Sequence, residues 1–340
     1  MEKVRLGRTN LEVARLGWGG IPIQRISEDE AVNVVTAVIA MGVDLLDTAR
    51  GYTTSEHRIG LALKQADRRV VLSTKSFERT ARIYEDVLES LKALDVGRID
   101  IYQLHDVSSM GDYEKVIAGE GAYVGLTRAR REGLIGYIGL SSHNLDVLER
   151  VLSEGFFDVI MTCYSFLEPD AESRIFPKAR SKDIGVMAMK PFSGGVIEHA
   201  GTALRYVLSA PDIVPIPGSE TVRKARENWD VFAAGDYALT EEDKARIEAV
   251  KREFSRQFCR RCDYCQPCTQ QIPIQVVLGM KTVIKRLGPQ SREAGWVRGV
   301  IEKARECTEC GECLPRCPYD LPIPDLIKEN LAYYDAFQHE

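Results

Sequence analysis

Residues 70–105, VVLSTKSFERTARIYEDVLESLKALDVGRIDIYQLH, decide the fold. Val70 to Lys75 is a short apolar and β-branched run, Arg82 to Leu94 has helical period, and Ile99 to His105 is strand-like again. Strand, helix and strand in that order form a crossover unit, which builds parallel sheet. Outward from it the same alternation runs from residue 12 to residue 219. Further candidate strands are Val13 to Gly19, Gly42 to Asp47, Tyr137 to Ser142, Asp158 to Tyr164, Gly185 to Lys190 and Ile213 to Pro217. Helix-period stretches include Ser27 to Met41, Asn144 to Glu154 and Ala171 to Ser181, and Ser27 with Glu30 predicts a capping box opening the first of these. Eight strands, each followed by a helix, in about 250 residues predict an α/β chain of the (β/α)8 barrel type. An open doubly wound sheet is the alternative. It would carry Gly-x-Gly-x-x-Gly after its first strand, and Leu16-Gly17-Trp18-Gly19-Gly20 lacks that spacing. Lys3 to Arg15, with turn-like Gly7-Arg8-Thr9-Asn10, predicts an N-terminal β-hairpin closing the barrel floor.

The composition agrees with a globular chain. Of 340 residues, 44% are hydrophobic and 28% charged, which excludes disorder and collagen-like structure. The net charge of −5, with no long basic run, argues against a general nucleic-acid or anionic-membrane binder. The longest apolar stretch, Ala31 to Met41, is broken by Asn33 and Thr36 and falls short of the roughly 20 residues of a membrane span. The first residues lack the apolar core of a signal peptide, so the expected location is the cytoplasm.

The nine cysteines are unevenly placed: eight lie between Cys259 and Cys317, and only Cys163 precedes them. That skew predicts a barrel over residues 1–255 and a separate domain over 256–340, with Cys163 a buried barrel residue. Cys259, Cys262, Cys265 and Cys268 are each two residues apart; Cys307, Cys310, Cys313 and Cys317 follow Cys-x2-Cys-x2-Cys-x3-Cys, with Pro318 next. Such spacing belongs to metal ligation rather than to a secreted disulfide scaffold. Tetrahedral zinc is one reading. The triple Cys-x2-Cys-x2-Cys runs favour iron-sulfur clusters, because a mononuclear site uses pairs and would leave cysteines idle.

This tail resembles bacterial dicluster ferredoxin modules, although Thr269 stands where proline is usual after the first block. The resemblance implies two [4Fe-4S] clusters with crossed ligands. Cluster one would take Cys259, Cys262, Cys265 and Cys317, and cluster two Cys307, Cys310, Cys313 and Cys268. Helix-period stretches from Gln275 to Leu287 and from Ser291 to Arg305 make it a small α-helical ferredoxin-like domain with an insertion.

Strand ends in a (β/α)8 barrel face the active site. The second candidate strand ends Asp47-Thr48-Ala49-Arg50-Gly51-Tyr52, the third Ser73-Thr74-Lys75 and the fourth Gln103-Leu104-His105-Asp106. Their residues and order resemble the aldo-keto reductases over roughly residues 3–230. The resemblance implies that Tyr52 donates a proton to a carbonyl oxygen, Lys75 supplies positive charge beside it, Asp47 holds Lys75, and His105 orients the substrate. It also implies NADP or NAD as cofactor and a small-molecule carbonyl or alcohol as substrate. Ser141, Ser142 and Asn144 match the family's contacts to the nicotinamide amide, while Gly218, Ser219, Lys224, Glu227 and Asn228 match the segment holding the adenosine phosphate and adenine. Three positions depart: Met161 stands for a glutamine, Met189 for a stacking aromatic ring, and Gly218 for a lysine that pairs with the 2′-phosphate. Gap-filling in the core is an equal reading of both methionines. In the run Met187 to Gly195, Lys190, followed by Pro191, sits at a strand end near a glycine pair and suits a phosphate or a substrate carboxylate; covering the barrel rim is the plainer reading.

Hydride chemistry moves two electrons and an iron-sulfur cluster one, so direct exchange between them is disfavoured. The first expectation is an NAD(P)H-dependent carbonyl oxidoreductase carrying a dicluster domain. The second is an electron-transfer or redox-sensing protein whose barrel is a docking scaffold for a redox protein partner, or holds another cofactor such as flavin, for which no fingerprint is visible.

Overall fold

The computed structural model describes residues 2–336. The chain divides into two compact units between Asp243 and Lys244. The first opens with an antiparallel hairpin, β1 (Lys3–Arg5) and β2 (Glu12–Ala14). Eight parallel strands follow: β3 (Trp18–Gly19), β4 (Leu45–Asp47), β5 (Val71–Ser76), β6 (Ile99–Leu104), β7 (Ile135–Ser142), β8 (Val159–Cys163), β9 (Gly185–Met189) and β10 (Ile213–Pro215). They lie side by side in sequence order. The seam between β3 and the chain at β10 is closed by Gly17 N–H donating to the Pro215 carbonyl at 3.0 Å and Gly19 N–H to that of Pro217 at 3.2 Å. A Cβ at Gly19 would stand 2.9 Å from the Ile216 carbonyl oxygen, so only glycine fits there. The sheet is therefore a nearly closed (β/α)8 barrel, and the open-sheet alternative falls away.

Between the strands run α1 (Glu28–Met41), α2 (Ser55–Leu63), α3 (Ile83–Leu94), α4 (Met110–Ile117), α5 (Ala122–Arg131), α6 (Leu145–Glu154), α7 (Ala171–Arg174), α8 (Phe176–Ser181) and α9 (Ala200–Ser209), with α10 (Val222–Ala233) after β10. The capping box forms: Ser27 Oγ accepts from Glu30 N–H, and the Glu30 carboxylate accepts from Ser27 N–H at 3.0 Å. Two elements are shorter than their pattern suggests. Val13 to Gly19 is not one strand, since Val13 pairs with Val4 in the hairpin and only Trp18–Gly19 joins the barrel. Ala171 to Ser181 breaks at Ile175, ahead of Pro177, whose missing N–H cannot continue the upstream helix.

The period of two along each strand explains where the chemistry sits. Inward-facing Leu45, Ile101, Val159, Met161, Met187, Val214 and Ile216 fill the barrel, and Leu6 and Val13 of the hairpin pack into the same cluster as its floor. Two residues further along, the inward positions turn polar: Asp47 follows Leu45, Gln103 follows Ile101 and Ser73 follows Val71. Truncating one of these buried aliphatic residues to alanine should cost roughly 2–5 kcal/mol.

The helix α11 (Glu241–Phe254) spans the division between the units. The composition shift suggests a boundary near its end, at residue 255. Asp243 belongs with the first unit because its carboxylate accepts from Thr202 Oγ1 at 2.6 Å and from Arg205 at 2.8 and 2.9 Å. The second unit holds α12 (Ile274–Leu287), α13 (Gly295–Arg305) and α14 (Ile323–Ala336), and among its described residues no strand. Ser291 lies in a 3-10 turn ahead of α13 rather than in the helix itself. This unit has its own apolar interior, with Ile272, Ile274, Val277, Leu321 and Ile323 in one cluster and Met280, Ile284, Val297 and Ile301 in another. No described helix is long and apolar enough to cross a membrane.

Candidate active site and cysteine pockets

The end of β4 turns sharply. Tyr52 N–H donates to the Ala49 carbonyl at 3.0 Å and Thr53 takes a left-handed φ of 43°, which places Tyr52 over the mouth of the barrel. Lys75, at the end of β5, is buried, and its Nζ donates to Asp47 Oδ2 at 2.5 Å and to the Thr48 carbonyl at 2.7 Å. The same ammonium lies 4.9 Å from the centroid of the Tyr52 ring. Burial pulls the Lys75 proton affinity down, but Asp47 and Tyr52 outweigh it, so the lysine stays charged. Asp47 is fixed on its other oxygen by Ser73 Oγ at 2.9 Å and Gln103 Nε2 at 3.4 Å.

His105 meets Tyr52 edge to face, with ring centroids 5.7 Å apart, and stacks on Phe77 at 3.9 Å. A Cβ at Gly51 would stand 2.9 Å from the Phe77 ring, so glycine leaves room for that stack. Burial, then the charge of Lys75, holds His105 well below the ordinary histidine range, which makes it a neutral imidazole. Its Nδ1 is buried without a hydrogen-bond partner. Such an orphan is costly unless a ligand completes it. The four residues expected to act together, Asp47, Tyr52, Lys75 and His105, are thus brought to one place.

A second polar chain lies beside them, and the sequence reading did not connect it. Asp106 Oδ1 meets His143 Nδ1 at 2.6 Å, and His143 Nε2 meets Lys190 Nζ at 2.5 Å. These residues follow β6, β7 and β9. The only signal in the sequence was that each stands just past a strand end.

The expected nicotinamide contacts are occupied within the protein. Ser141 Oγ accepts from Asp106 N–H at 2.8 Å and donates to the Leu104 carbonyl at 3.3 Å. Ser142 Oγ accepts from Asn144 N–H at 3.0 Å, and Asn144 Oδ1 caps α6 through Asp146 N–H at 2.9 Å. Met161 is buried in the inward cluster and Met189 packs against it, as gap-filling would have them. Ser193 closes the turn after Pro191 with an N–H bond to the Lys190 carbonyl at 2.8 Å. At the far end, Gly218 and Ser219 lead into α10, and Ser219 Oγ accepts from Trp18 Nε1 at 2.9 Å. Lys224 Nζ donates to Glu220 at 2.5 Å, with Arg25 at 3.6 Å from the same carboxylate. Glu227 is exposed and pairs with Arg223, while Asn228 is buried.

In the second unit the cysteines fall into two sets. Cys259, Cys262, Cys265 and Cys317 line one pocket, with Leu278, Leu321 and Ile323. Cys268, Cys307, Cys310 and Cys313 line another, with Ile272, Ile274 and Ile327. Each block therefore lends its last thiol to the other block's pocket. Among the described residues no three ligating side chains converge closely enough for a single ion. Four thiols in each pocket are a donor set that suits a cubane. Cys163 ends β8 and is buried.

Comparison with known proteins fits both halves. The model of the aldo/keto reductase family matches residues 13–203, and that of the 4Fe-4S dicluster domain matches residues 258–322. The NADH-specific methylglyoxal reductase of Escherichia coli is 30% identical over 236 residues, which is 60% of this chain and 71% of that protein. The L-galactose dehydrogenase of Arabidopsis thaliana is 28% identical over 216 residues, 58% of this chain and 67% of that one. Among solved structures, the aldo-keto reductase AKR11C1 of Bacillus halodurans shares the fold, with a TM-score of 0.63 at 24% identity over 74% of this chain and 96% of that chain. With more than half its length matched by the family model and its barrel closed around an assembled Asp47, Tyr52, Lys75 and His105, the chain belongs to the aldo/keto reductase family.

Proposed function

We propose that the barrel reduces the carbonyl of a small aldehyde or ketone, or oxidises the matching alcohol, with NAD(P)H. The observation that carries this reading is Lys75, locked between Asp47 and the Thr48 carbonyl beneath the Tyr52 ring. A bound nicotinamide would supply the hydride. Tyr52 gives its phenolic proton to the substrate oxygen as that oxygen gains charge, and Lys75 stabilises the phenolate left behind. His105, neutral and missing a partner at Nδ1, offers the substrate oxygen a hydrogen bond. Lys224 and Arg25 beside the turn at Gly218 support NADP. The Escherichia coli relative is NADH-specific by name, and comparing the two nucleotides at equal concentration decides between them.

In the tail, Cys259, Cys262, Cys265 and Cys317 would hold one [4Fe-4S] cluster and Cys268, Cys307, Cys310 and Cys313 another, giving single-electron transfer to a redox protein partner. The test is anaerobically purified full-length protein assayed with NAD(P)H and short aldehydes. Tyr52→Phe should lower kcat by roughly 10²–10⁴ while nucleotide binding persists. Equal turnover in the variant sinks the reading.

One observation favours the second reading, an electron-transfer or sensing protein whose barrel holds a different cofactor such as flavin. Met161 and Met189, packed in the inward apolar cluster, stand where the family's glutamine and aromatic ring would meet the nicotinamide. Aldehyde reduction that survives Cys→Ser changes in both blocks favours the reductase. Cluster bleaching by a ferredoxin-type donor without nicotinamide turnover favours the alternative.

A further inference from the structure

The chain of Asp106, His143 and Lys190 is not used by the mechanism above, yet it is built with care. The two ring nitrogens of His143 are spoken for, one by Asp106 Oδ1 at 2.6 Å and the other by Lys190 Nζ at 2.5 Å. A carboxylate faces one ring nitrogen and an ammonium the other, an arrangement in which Nδ1–H can donate to Asp106 and Nε2 can accept from Lys190. Asp106 is further fixed by Ser108 Oγ and, through its backbone N–H, by Ser141 Oγ at 2.8 Å. Asp106, Lys190 and Ser193 all adopt left-handed φ values, of 53°, 58° and 48°. None is glycine, and such strain persists where surrounding structure enforces it, typically at ligand-binding sites.

The position of this chain points to what it reads. Asp106 follows His105 directly in the sequence, so the polar chain starts beside the catalytic residue and ends on a half-buried lysine just past β9. Lys75 is neutralised by Asp47 and Arg50 by Glu56 at 3.0 Å. Arg79 Nη2 donates to the Asp106 carbonyl at 2.9 Å, and its charge is met by Asp112 at 3.9 Å. Two titrations register the cations at this rim. Burial would raise Asp106, but His143, Ser108 and Lys190 hold it far below the usual carboxylate range; His105 is driven down by burial and then by Lys75, despite the nearby Asp106.

We propose that Lys190, oriented by His143 and Asp106, is an anion-binding group of the active site, and that the substrate is a carbonyl compound bearing a carboxylate. This rests on the reductase reading above. An ammonium has three N–H donors, so the bond to His143 fixes its direction and is compatible with a charge-assisted bond to a carboxylate oxygen. The plainer source of anionic oxygen, a phosphate of the dinucleotide, is distinguished by experiment.

The holoenzyme, purified anaerobically, is assayed with matched pairs: 4-oxobutanoate against butanal, and 2-oxobutanoate against butan-2-one. The expected result is a wild-type preference in kcat/KM for the acid of at least one pair. Lys190→Met should lower that preference roughly ten- to a hundredfold, mainly through KM, and Lys190→Arg should restore part of it. Neutral substrates turned over as well as acids by the wild type overturn the proposal and leave the reductase reading intact. A rise in KM for NAD(P)H with no change in acid preference assigns the cation to the dinucleotide and also overturns it. If neither member of either pair is reduced, calorimetric binding of 4-oxobutanoate decides. Loss of binding in Lys190→Met upholds the anion site while the reductase reading fails, and equal binding overturns the anion site as well.

Discussion

The barrel mouth and the cysteine tail solve the same problem, holding reactive side chains together, by different means. At the mouth the protein completes the geometry itself: Asp47 has Lys75 on one oxygen and Ser73 and Gln103 on the other, each delivered by an adjacent strand. In the tail the thiols stand on short loops, and the hydrogen bonds to their sulfurs come largely from those loops, as from Tyr264 N–H to Cys262 and Glu312 N–H to Cys310. Arg261 N–H lies 3.4 Å from Cys259 Sγ and Thr269 Oγ1 lies 3.7 Å from Cys310 Sγ. A site preorganised by strand hydrogen bonds survives without its ligand. A site lined mainly by thiols on short loops depends on what the thiols bind.

The largest effect that could break this contrast is loss of the tail's ligands. In full-length protein, Cys265→Ser combined with Cys307→Ser should leave less than roughly one tenth of the wild-type iron and sulfide and remove the melting transition of residues 244–340. The barrel transition should persist; joint melting of both units would break the contrast. Next comes Lys75→Met, which removes the charge beside Tyr52 and leaves Asp47 buried without it. We expect a kcat loss of roughly 10²–10⁴ and a barrel destabilised by about 3–5 kcal/mol, read by denaturant titration.

A smaller effect follows from Gly51→Ala, which pushes Phe77 off His105. A tenfold drop in kcat, on the order of 1.4 kcal/mol, is expected, and wild-type kinetics would show that the stack positions nothing. The pH dependence sharpens the contrast further. His105 is held below its unfolded pKa of about 6.5, so the unfolded chain binds the proton more readily. Its contribution to stability is complete above about pH 6.5 and is lost as the pH falls. His143, where burial and Lys190 are outweighed by Asp106 and Cys163, is raised and acts in the opposite sense. The barrel of the wild type should therefore lose more stability than that of His105→Gln between about pH 7 and 5, and parallel slopes would remove His105 from the account. The smallest effect is Ser27→Ala, which opens the α1 capping box and should cost about 1 kcal/mol.

Much of this was readable in the sequence because the responsible forces are local. Eight strand signals and the Ser27 cap depend on periodicity and on near neighbours. Asp47, Tyr52, Lys75 and His105 were suggested by a family resemblance carried by their order at successive strand ends, and the cysteine sets by a resemblance to dicluster modules carried by their spacing. What escaped depends on the barrel being closed. The bond between His143 and Lys190 joins residues on either side of β8, and nothing at either position announces the other. Ser141 read as a cofactor contact, yet its hydroxyl is taken up by the backbone of the neighbouring strand. Pro177 divided an otherwise helical stretch, and Val13 went to the hairpin because Val4 lay opposite to pair with it.

The exchange of thiols between the two pockets also sets an order of events at the ribosome. Cys317 serves the pocket of the first block and Cys268 that of the second, so the second pocket owns four thiols only once residue 313 is made, and the first only at residue 317. The first block, although made first, is therefore the last to be completed, and a chain cut short within α13 forfeits both sites at once.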